Sequence, residues 1–179
     1  MSPTRDRVAD AAIEVLGELG LRALTHRAVD GRAGVPTGTT SNHFRTRAAL
    51  LAGIVARLVE RDRLWQQRPG PRITDADGLA DAAAAYLERA TGPERTASAA
   101  RYTLFLAADA DLSPDLAAGR TAIESWITRT LRELGSADPE TGARALVGCL
   151  DGLILRRLAT GEHGDDAGAL RTVARAAAR

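Results

Sequence analysis

The chain has 179 residues and a net charge of +1, and all of its 24 basic residues are arginine. Because lysine is absent, the composition excludes a Walker A phosphate loop, pyridoxal phosphate chemistry and the lysine-dependent serine hydrolases. A single cysteine excludes an intramolecular disulfide, no apolar run reaches the roughly 18 residues of a membrane helix, and both features predict a cytoplasmic protein.

Apolar residues recur at helical spacing along the chain, and no segment shows the alternation of a β-strand. Before residue 46, this spacing predicts three helices, over residues 8–19, 25–33 and 36–44. Thr25 is the expected N-cap of the second helix. Thr46 is the expected cap of a long fourth helix. The segment RPGPRIT, residues 68–74, contains two prolines around a glycine and is the clearest linker.

Five further helices follow the linker, and pairs of a capping residue and a proline mark the start of two of them. Ser113-Pro114 begins the seventh helix, Asp138-Pro139 begins the eighth, and Gly161 ends the eighth. We therefore predict an all-α protein of about nine helices. The expected domains are a three-helix head, a connector helix and a C-terminal body, over residues 1–45, 46–68 and 69–179.

The segment GVPTGTTSNHFRTR, residues 34–47, fills a short predicted helix with poor helix formers. Two short helices joined by a glycine-containing turn indicate a helix-turn-helix, whose second helix lies in the major groove of DNA. Small side chains let the backbone approach DNA, hydroxyl groups bond phosphates, and Asn42 can bond adenine at two points. The segment therefore predicts a DNA-binding surface, which agrees with the eleven arginines and seven acids of residues 1–68.

The stretch LTHRAVDGRAGVPTGTTSNHFRTRAAL, residues 24–50, resembles the DNA-binding region of the TetR/AcrR family of bacterial transcriptional regulators. The shared pattern consists of an alanine-glycine-valine turn at 33–35, a short helix, the aromatic core residue Phe44 and the basic residue Arg47. The resemblance covers roughly residues 5–58, and beyond them only the number and length of the helices agree.

The resemblance implies two kinds of DNA contact in this motif, to base edges and to phosphates, and core positions for Val35 and Phe44. The residues facing bases would be Arg27, Thr37, Gly38 and Asn42. The residues bonding phosphates would be Thr25, Thr39, Ser41, His43 and Arg47. The predicted DNA-binding set is completed by their neighbours His26, Thr40 and Arg45.

Three positions depart from the family pattern. Ser41 replaces a phosphate-binding tyrosine, and its short hydroxyl reaches less far than a phenol. Arg47 replaces a lysine, which keeps the charge and adds the fork geometry of a guanidinium. Pro36 replaces the usual capping serine. The contacts of residues 41–43 are therefore the least constrained part of the predicted surface.

A ligand site in a helical body is an apolar cavity with a few polar groups, and this body contains few aromatic residues. Arg101 lies on the apolar stripe of the sixth helix, where an unpaired charge is unfavourable. It either pairs with an acid such as Asp151 inside an ordinary core, or helps to bind a small, flat, mainly apolar molecule. The candidate pocket residues are Trp65, Tyr86, Arg101, Tyr102, Phe105 and Asp151.

Gly148 and Gly152 lie four residues apart on the eighth helix, a spacing that permits close approach of another backbone. One interpretation is close packing within the monomer. The other is a four-helix interface formed by the seventh and eighth helices of two copies. The candidate interface residues are Trp126, Gly148, Leu150, Gly152, Ile154 and Leu158.

These features predict a homodimeric, sequence-specific DNA-binding regulator. We expect a repressor that leaves a near-palindromic operator when a small molecule binds. Two alternatives stay open, a DNA-binding regulator that senses no ligand and an enzyme built on a helical fold. Retained DNA binding across a metabolite panel would favour the first alternative, and substrate turnover would favour the second. The sequence predicts no catalytic residue, metal site, cofactor or membrane partner.

Overall fold

The computed structural model describes residues 3–67, 72–107 and 113–179. Within these residues the backbone forms nine α-helices and no β-strand, so the all-α prediction is confirmed. None of the helices described there combines the length and apolar character that a membrane crossing requires. In chain order the helices are α1 Pro3–Ala23, α2 His26–Ala33, α3 Thr39–His43, α4 Arg47–Gln66, α5 Ala76–Thr91, α6 Arg95–Leu106, α7 Ser113–Glu133, α8 Pro139–Thr160 and α9 Asp166–Ala177.

The chain forms two compact units, each assembled from two separate segments. The first unit consists of Met1–Arg68 and Thr96–Gly119, and it contains α1 to α4 and most of α6. The second unit consists of Pro69–Arg95 and Arg120–Arg179, and it contains α5, α8, α9 and the last part of α7. Residues 68–71 of the predicted linker lie outside the described residues.

A continuous apolar core joins the helices of the first unit. Gly17 lets α1 pass close to the start of α6, because a Cβ atom at this position would collide with the backbone oxygen of Thr96. Phe44 is buried in this core and Val35 packs against it, as predicted. The largest fully buried side chains of the core are Ile13, Leu16, Leu24, Leu50, Ile54 and Leu58.

The second unit has its own buried apolar side chains, which come from α5, α7, α8 and α9. Gly142 on α8 is closely packed, since a Cβ atom there would lie 2.9 Å from Ala177 and 3.0 Å from Leu131. The hydroxyl of Ser136 donates a hydrogen bond to the carbonyl oxygen of Ala177 at 2.6 Å. The largest fully buried side chains are Leu79, Leu87, Ile127, Leu131, Leu146 and Leu170.

Most helix ends carry the local signals that the sequence predicted. Thr25, Thr46 and Asp138 each cap a helix, and their side-chain oxygens accept a backbone N–H three residues further on. Gly34 and Gly161 end α2 and α8 in the left-handed region, with φ angles of 61° and 70°. These ends follow from residues close to them in sequence.

The third helix differs from its prediction, because it begins at Thr39 and not at Pro36. Gly38 occupies the N-cap position with a φ angle of 94°, and it has no side chain that could cap α3. The acceptor for the first N–H groups of α3 comes from α2 instead.

Candidate nucleic-acid interface

The N-terminal end of α3 is capped by Asp30, a residue of α2. The N–H groups of Gly38 and Thr40 each donate to its carboxylate at 2.7 Å, and the hydroxyl of Thr40 donates at 2.5 Å. Asp30 is only 3% exposed, so these three donors replace the water that an exposed carboxylate would bind. The first turn of α3 is therefore joined to α2 by a side chain.

The same contacts favour the ionised form of Asp30. Burial raises the pKa of this carboxyl group, but the hydrogen bonds from Thr40 and Gly38 outweigh that effect, so the pKa lies below its ordinary value. Because the pKa is lower than in the unfolded chain, the stabilisation is present above the unfolded value and is lost as the pH falls through the folded value.

The C-terminal end of α3 is also joined to α2. The Nε2–H of His26 donates to the carbonyl oxygen of Phe44 at 2.6 Å. The ring of Phe44 is buried, with the guanidinium of Arg5 5.1 Å from its centroid. Gly53 on α4 leaves space for this ring, because a Cβ atom at Gly53 would collide with it. A helix of only five residues is thus fixed at both ends.

Thr40 was predicted to contact DNA, and the structure contradicts this. The residue is 0% exposed, and both its N–H and its hydroxyl donate to Asp30. Its side chain therefore positions α3. The neighbouring Thr39 also uses its hydroxyl locally, as a donor to the carbonyl oxygen of Pro36 at 2.6 Å.

Arg47 is exposed, but its guanidinium is bound to backbone carbonyl groups at the end of α1. Its Nη1 donates to Leu24 O at 2.8 Å and its Nη2 donates to Leu21 O at 2.7 Å. These acceptors follow Gly20, where α1 departs from helical geometry with a φ angle of 77°. A phosphate contact by Arg47 would have to share these bonds, so the structure gives the residue a packing role at the start of α4.

The side chains of five predicted DNA contacts are exposed and make no hydrogen bond or ion pair to another residue within the described part of the chain. They lie on α2, in the turn before α3, on α3 itself and directly after it. Along the chain, arginines therefore precede and follow the amide and hydroxyl groups of α3. Thr25 is exposed while capping α2, and His43 is half-buried. The five residues are Arg27, Thr37, Ser41, Asn42 and Arg45.

The candidate pocket residues divide between the two units. Arg101 on α6 donates to both carboxylate oxygens of Asp62 on α4, at 2.5 and 3.0 Å. The half-buried charge on the apolar stripe of α6 is thus paired with an acid of α4. In the second unit, the guanidinium of Arg89 lies 5.1 Å from the ring centroid of Tyr86. The members in the first unit are Trp65, Arg101, Tyr102 and Phe105, and those in the second are Tyr86 and Asp151.

The candidate interface residues of α7 and α8 differ in exposure. Leu150 and Ile154 are buried in the second unit, and their assignment to an interface is wrong because these side chains face the core of their own chain. No described atom beyond the adjoining backbone of α8 lies within 4 Å of a Cβ atom placed at Gly148 or Gly152, so packing within the monomer does not require these glycines. The exposed or half-buried candidates are Trp126, Gly148, Gly152 and Leu158.

Asp30 supports this surface from beneath, and no motif in the sequence pointed to it. It lies four residues after His26, so both side chains are on one face of α2, and both contact the α3 segment. An acid shortly before a turn whose following helix lacks its own cap would have been a usable signal.

Comparison with known proteins identifies similar chains. The family model described as "Tetracyclin repressor-like, C-terminal domain" matches residues 74–179. The solved structure of the multidrug binding protein EbrR with ethidium is 31% identical, covers 96% of this chain and 97% of its own, and has a TM-score of 0.71. A TetR-family member from Streptomyces coelicolor A3 is 30% identical, with coverages of 97% and 98% and a TM-score of 0.73.

A third solved structure, a transcriptional regulator from Rhodococcus sp. Rha1, is 26% identical over 95% of this chain and 93% of its own, with a TM-score of 0.71. A sequence comparison with curated proteins finds no match. The three structures span the whole region that contains the candidate interface, so the similarity is not limited to one unit.

Proposed function

Because the chain belongs to the TetR family of transcriptional regulators, we propose that it binds a DNA operator through α2 and α3 and leaves it when a small molecule binds. The observation that supports DNA binding is the set of five exposed polar side chains around an α3 that is fixed at both ends. A helix fixed in this way keeps its side chains in one arrangement, which base recognition requires.

Asn42→Ala should lower affinity for the operator by about 1–3 kcal/mol and relax the preference at one base pair, because asparagine bonds adenine at two points. Arg45→Ala should weaken all sequences alike and reduce the salt dependence of binding by about one charge, because a phosphate contact is lost. The operator is obtained by selection from a random DNA pool, and its Kd is measured beside that of scrambled DNA at several salt concentrations.

Arg47→Ala is the matched control, since it removes the same charge two residues further along the chain. Its guanidinium already bonds Leu21 and Leu24, so its loss should reduce the salt dependence less than the loss of Arg45. If Asn42→Ala and Arg45→Ala lose the same affinity on both DNAs, the proposed division between base and phosphate contacts is wrong.

Support for a small-molecule effector comes from the relative EbrR, whose solved complexes contain ethidium, proflavin and malachite green. All three are aromatic cations. Within the second unit, the ring of Tyr86 and the carboxylate of Asp151, both candidate pocket residues, suit a ligand of this class. A ligand releases DNA only if it binds the released state better, and a tenfold preference corresponds to about 1.4 kcal/mol.

Malachite green should raise the melting temperature of the protein and release a labelled operator, and Tyr86→Ala should reduce both effects. It is the preferred probe for release, because ethidium and proflavin intercalate in duplex DNA and would disturb the operator itself. The same two measurements on Arg101→Ala test a candidate residue of the first unit. A compound that stabilises the wild type and both variants equally, yet releases DNA, would place the sensor site elsewhere. Retained binding with every aromatic or lipid-like compound tested would favour a regulator that senses no ligand.

The proposed partner on α8 is a second copy of this chain. One face of α8 carries exposed small and apolar residues at spacings of three and four, with charged residues only at its margins. An exposed apolar face of this kind marks an interaction surface, and two small residues in it allow a partner helix to approach closely. A two-fold dimer would present two heads to DNA and explain a near-palindromic operator. The residues of this α8 face are Ala145, Gly148, Gly152, Leu155 and Ala159.

A further inference from the structure

We propose that Asp30 is a positioning residue, through which the choice of DNA sequence depends on a carboxylate that does not itself touch DNA. The inference rests on the proposed binding of an operator by α2 and α3. Base recognition would require Arg27 on α2 and Asn42 on α3 to keep a fixed relation, and Asp30 joins these two helices.

α3 cannot keep its conformation through its own sequence. It has five residues, whereas isolated helices shorter than about 12–15 residues are marginal in water. Its residues are mediocre helix formers, and Gly38 at its N-cap position offers no side-chain acceptor. The N–H groups of its first turn therefore need an acceptor from elsewhere in the fold.

Asp30 supplies these acceptors from a fixed place in the middle of α2. One carboxylate oxygen accepts from Gly38, and the other accepts from the N–H and the hydroxyl of Thr40. Its backbone oxygen also accepts from the N–H of Val35 at 3.1 Å. One residue thus bonds both the turn after α2 and the first turn of α3, so that losing it should let α3 shift relative to Arg27.

If Asp30 acted only through its charge, its removal would change DNA binding in the direction opposite to the loss of a positioning residue. A carboxylate in a DNA-binding unit repels phosphates, so its removal should strengthen binding to any sequence if charge were its only role. A positioning role predicts weaker binding to the operator in particular. The ratio of operator affinity to scrambled-DNA affinity therefore separates the two.

Three variants test the proposal. Asp30→Asn keeps the size of the side chain and loses one acceptor oxygen, and Thr40→Val loses only the hydroxyl and keeps the charge. Glu18→Gln is the matched control, because it removes one exposed negative charge from α1 of the same unit. The Kd of each variant is measured for operator and scrambled DNA across salt concentrations.

Asp30→Asn should lower the affinity ratio about tenfold, as the loss of one hydrogen bond to a charged group predicts, while scrambled DNA binds equally well or better. Thr40→Val should lower the ratio by a smaller factor, and Glu18→Gln should leave it unchanged. A ratio that stays at the wild-type value in Asp30→Asn, as in Glu18→Gln, overturns the proposal. If Asp30→Asn unfolds the first unit, which Trp65 fluorescence in a Trp126→Phe background detects, the ratio of Thr40→Val decides.

Amide hydrogen exchange gives a readout without DNA. The amides of Gly38 and Thr40 should exchange faster in Asp30→Asn than in the wild type, and those of α4 should not change. A wild type that shows no operator preference would refute the proposed function, and exchange at these two amides would still test whether Asp30 positions α3. Unchanged exchange there overturns the positioning role.

Discussion

Arg157→Met should lower the free energy of unfolding of the second unit by about 3 kcal/mol, because it removes a cation from a buried carboxylate. Arg157 is 4% exposed and Asp166 is 3% exposed. The Nε–H of Arg157 donates to Asp166 at 2.6 Å, and its Nη1 donates to Glu88 at 2.7 Å and to Thr91 at 3.1 Å.

These bonds join the ends of three helices, so the loss of Arg157 removes contacts between all three. Arg157 lies near the end of α8, Asp166 begins α9, and Glu88 and Thr91 lie in the last turn of α5. Burial lowers the pKa of Arg157, but its bonds to Glu88 and Asp166 outweigh this, so the pKa is raised and the residue stays charged. Arg156 also pairs with Asp166, and for this reason we expect the lower end of the range for a broken buried pair.

Urea unfolding followed by Trp126 fluorescence in a Trp65→Phe background reports on the second unit, since each unit contains one tryptophan. Arg175→Ala is the control, because Arg175 pairs with Asp77 at an exposed site where solvent screens the charges. The double variant with Asp166→Asn should lose less than the sum of the single variants, by about 1 kcal/mol or more. An Arg157→Met protein as stable as Arg175→Ala would contradict the prediction.

Helix ends could be predicted from the sequence wherever their signal is local. Thr25, Thr46 and Asp138 accept bonds from residues three positions away, and Gly34 and Gly161 adopt the left-handed conformation that glycine tolerates. The start of α3 could not be predicted in this way. Its acceptor, Asp30, belongs to another helix and reaches α3 only after the chain has turned.

The members of the DNA-binding set could be named from the sequence, but their orientation could not. Thr40 and Asn42 are two residues apart, yet one is fully buried on Asp30 and the other is exposed. A helix of five residues has too few turns for apolar spacing to define an inner and an outer face. The hydroxyl that faces the core therefore looks the same in sequence as one that faces DNA.

Charged residues in apolar stripes could be recognised, whereas their partners could not. The sequence indicated that Arg101 needed an acid, and the structure gives it Asp62, 39 residues earlier in the chain. Nothing in the sequence marked Arg157, which bonds Glu88 across 69 residues. Such pairs depend on which helices meet, and helical spacing carries no information about that.

Gly152→Leu should convert the proposed dimer into monomers while leaving each chain folded. Within the described residues, no atom beyond the adjoining backbone of α8 lies within 4 Å of a Cβ atom placed at Gly152, so a side chain has space to leave the helix at this position. Leucine also favours a helix by up to about 1 kcal/mol relative to glycine. Any loss of association must therefore arise where a second copy approaches α8.

Sedimentation velocity over a range of concentrations measures this change, with circular dichroism as the check on folding. Gly152→Ala should give a smaller effect in the same direction, because one methyl group intrudes less on a closely approaching helix. Ala85→Leu is the matched control, since it adds apolar bulk at an exposed position of α5 in the same unit. A folded Gly152→Leu protein that stays dimeric would move the interface away from this face of α8.

Loss of the dimer should also appear in DNA binding, although Gly152 lies in the second unit and the DNA-binding helices lie in the first. A monomer presents one head, so it should bind one half-site of the operator and lose the gain that comes from holding two heads together. Gly152→Leu should therefore reduce affinity for the full operator far more than affinity for a half-site, while Ala85→Leu should change neither. Equal losses of affinity for the full operator and for the half-site would indicate damage within the DNA-binding head. A defect in dimer assembly alone would lower only the affinity for the full operator.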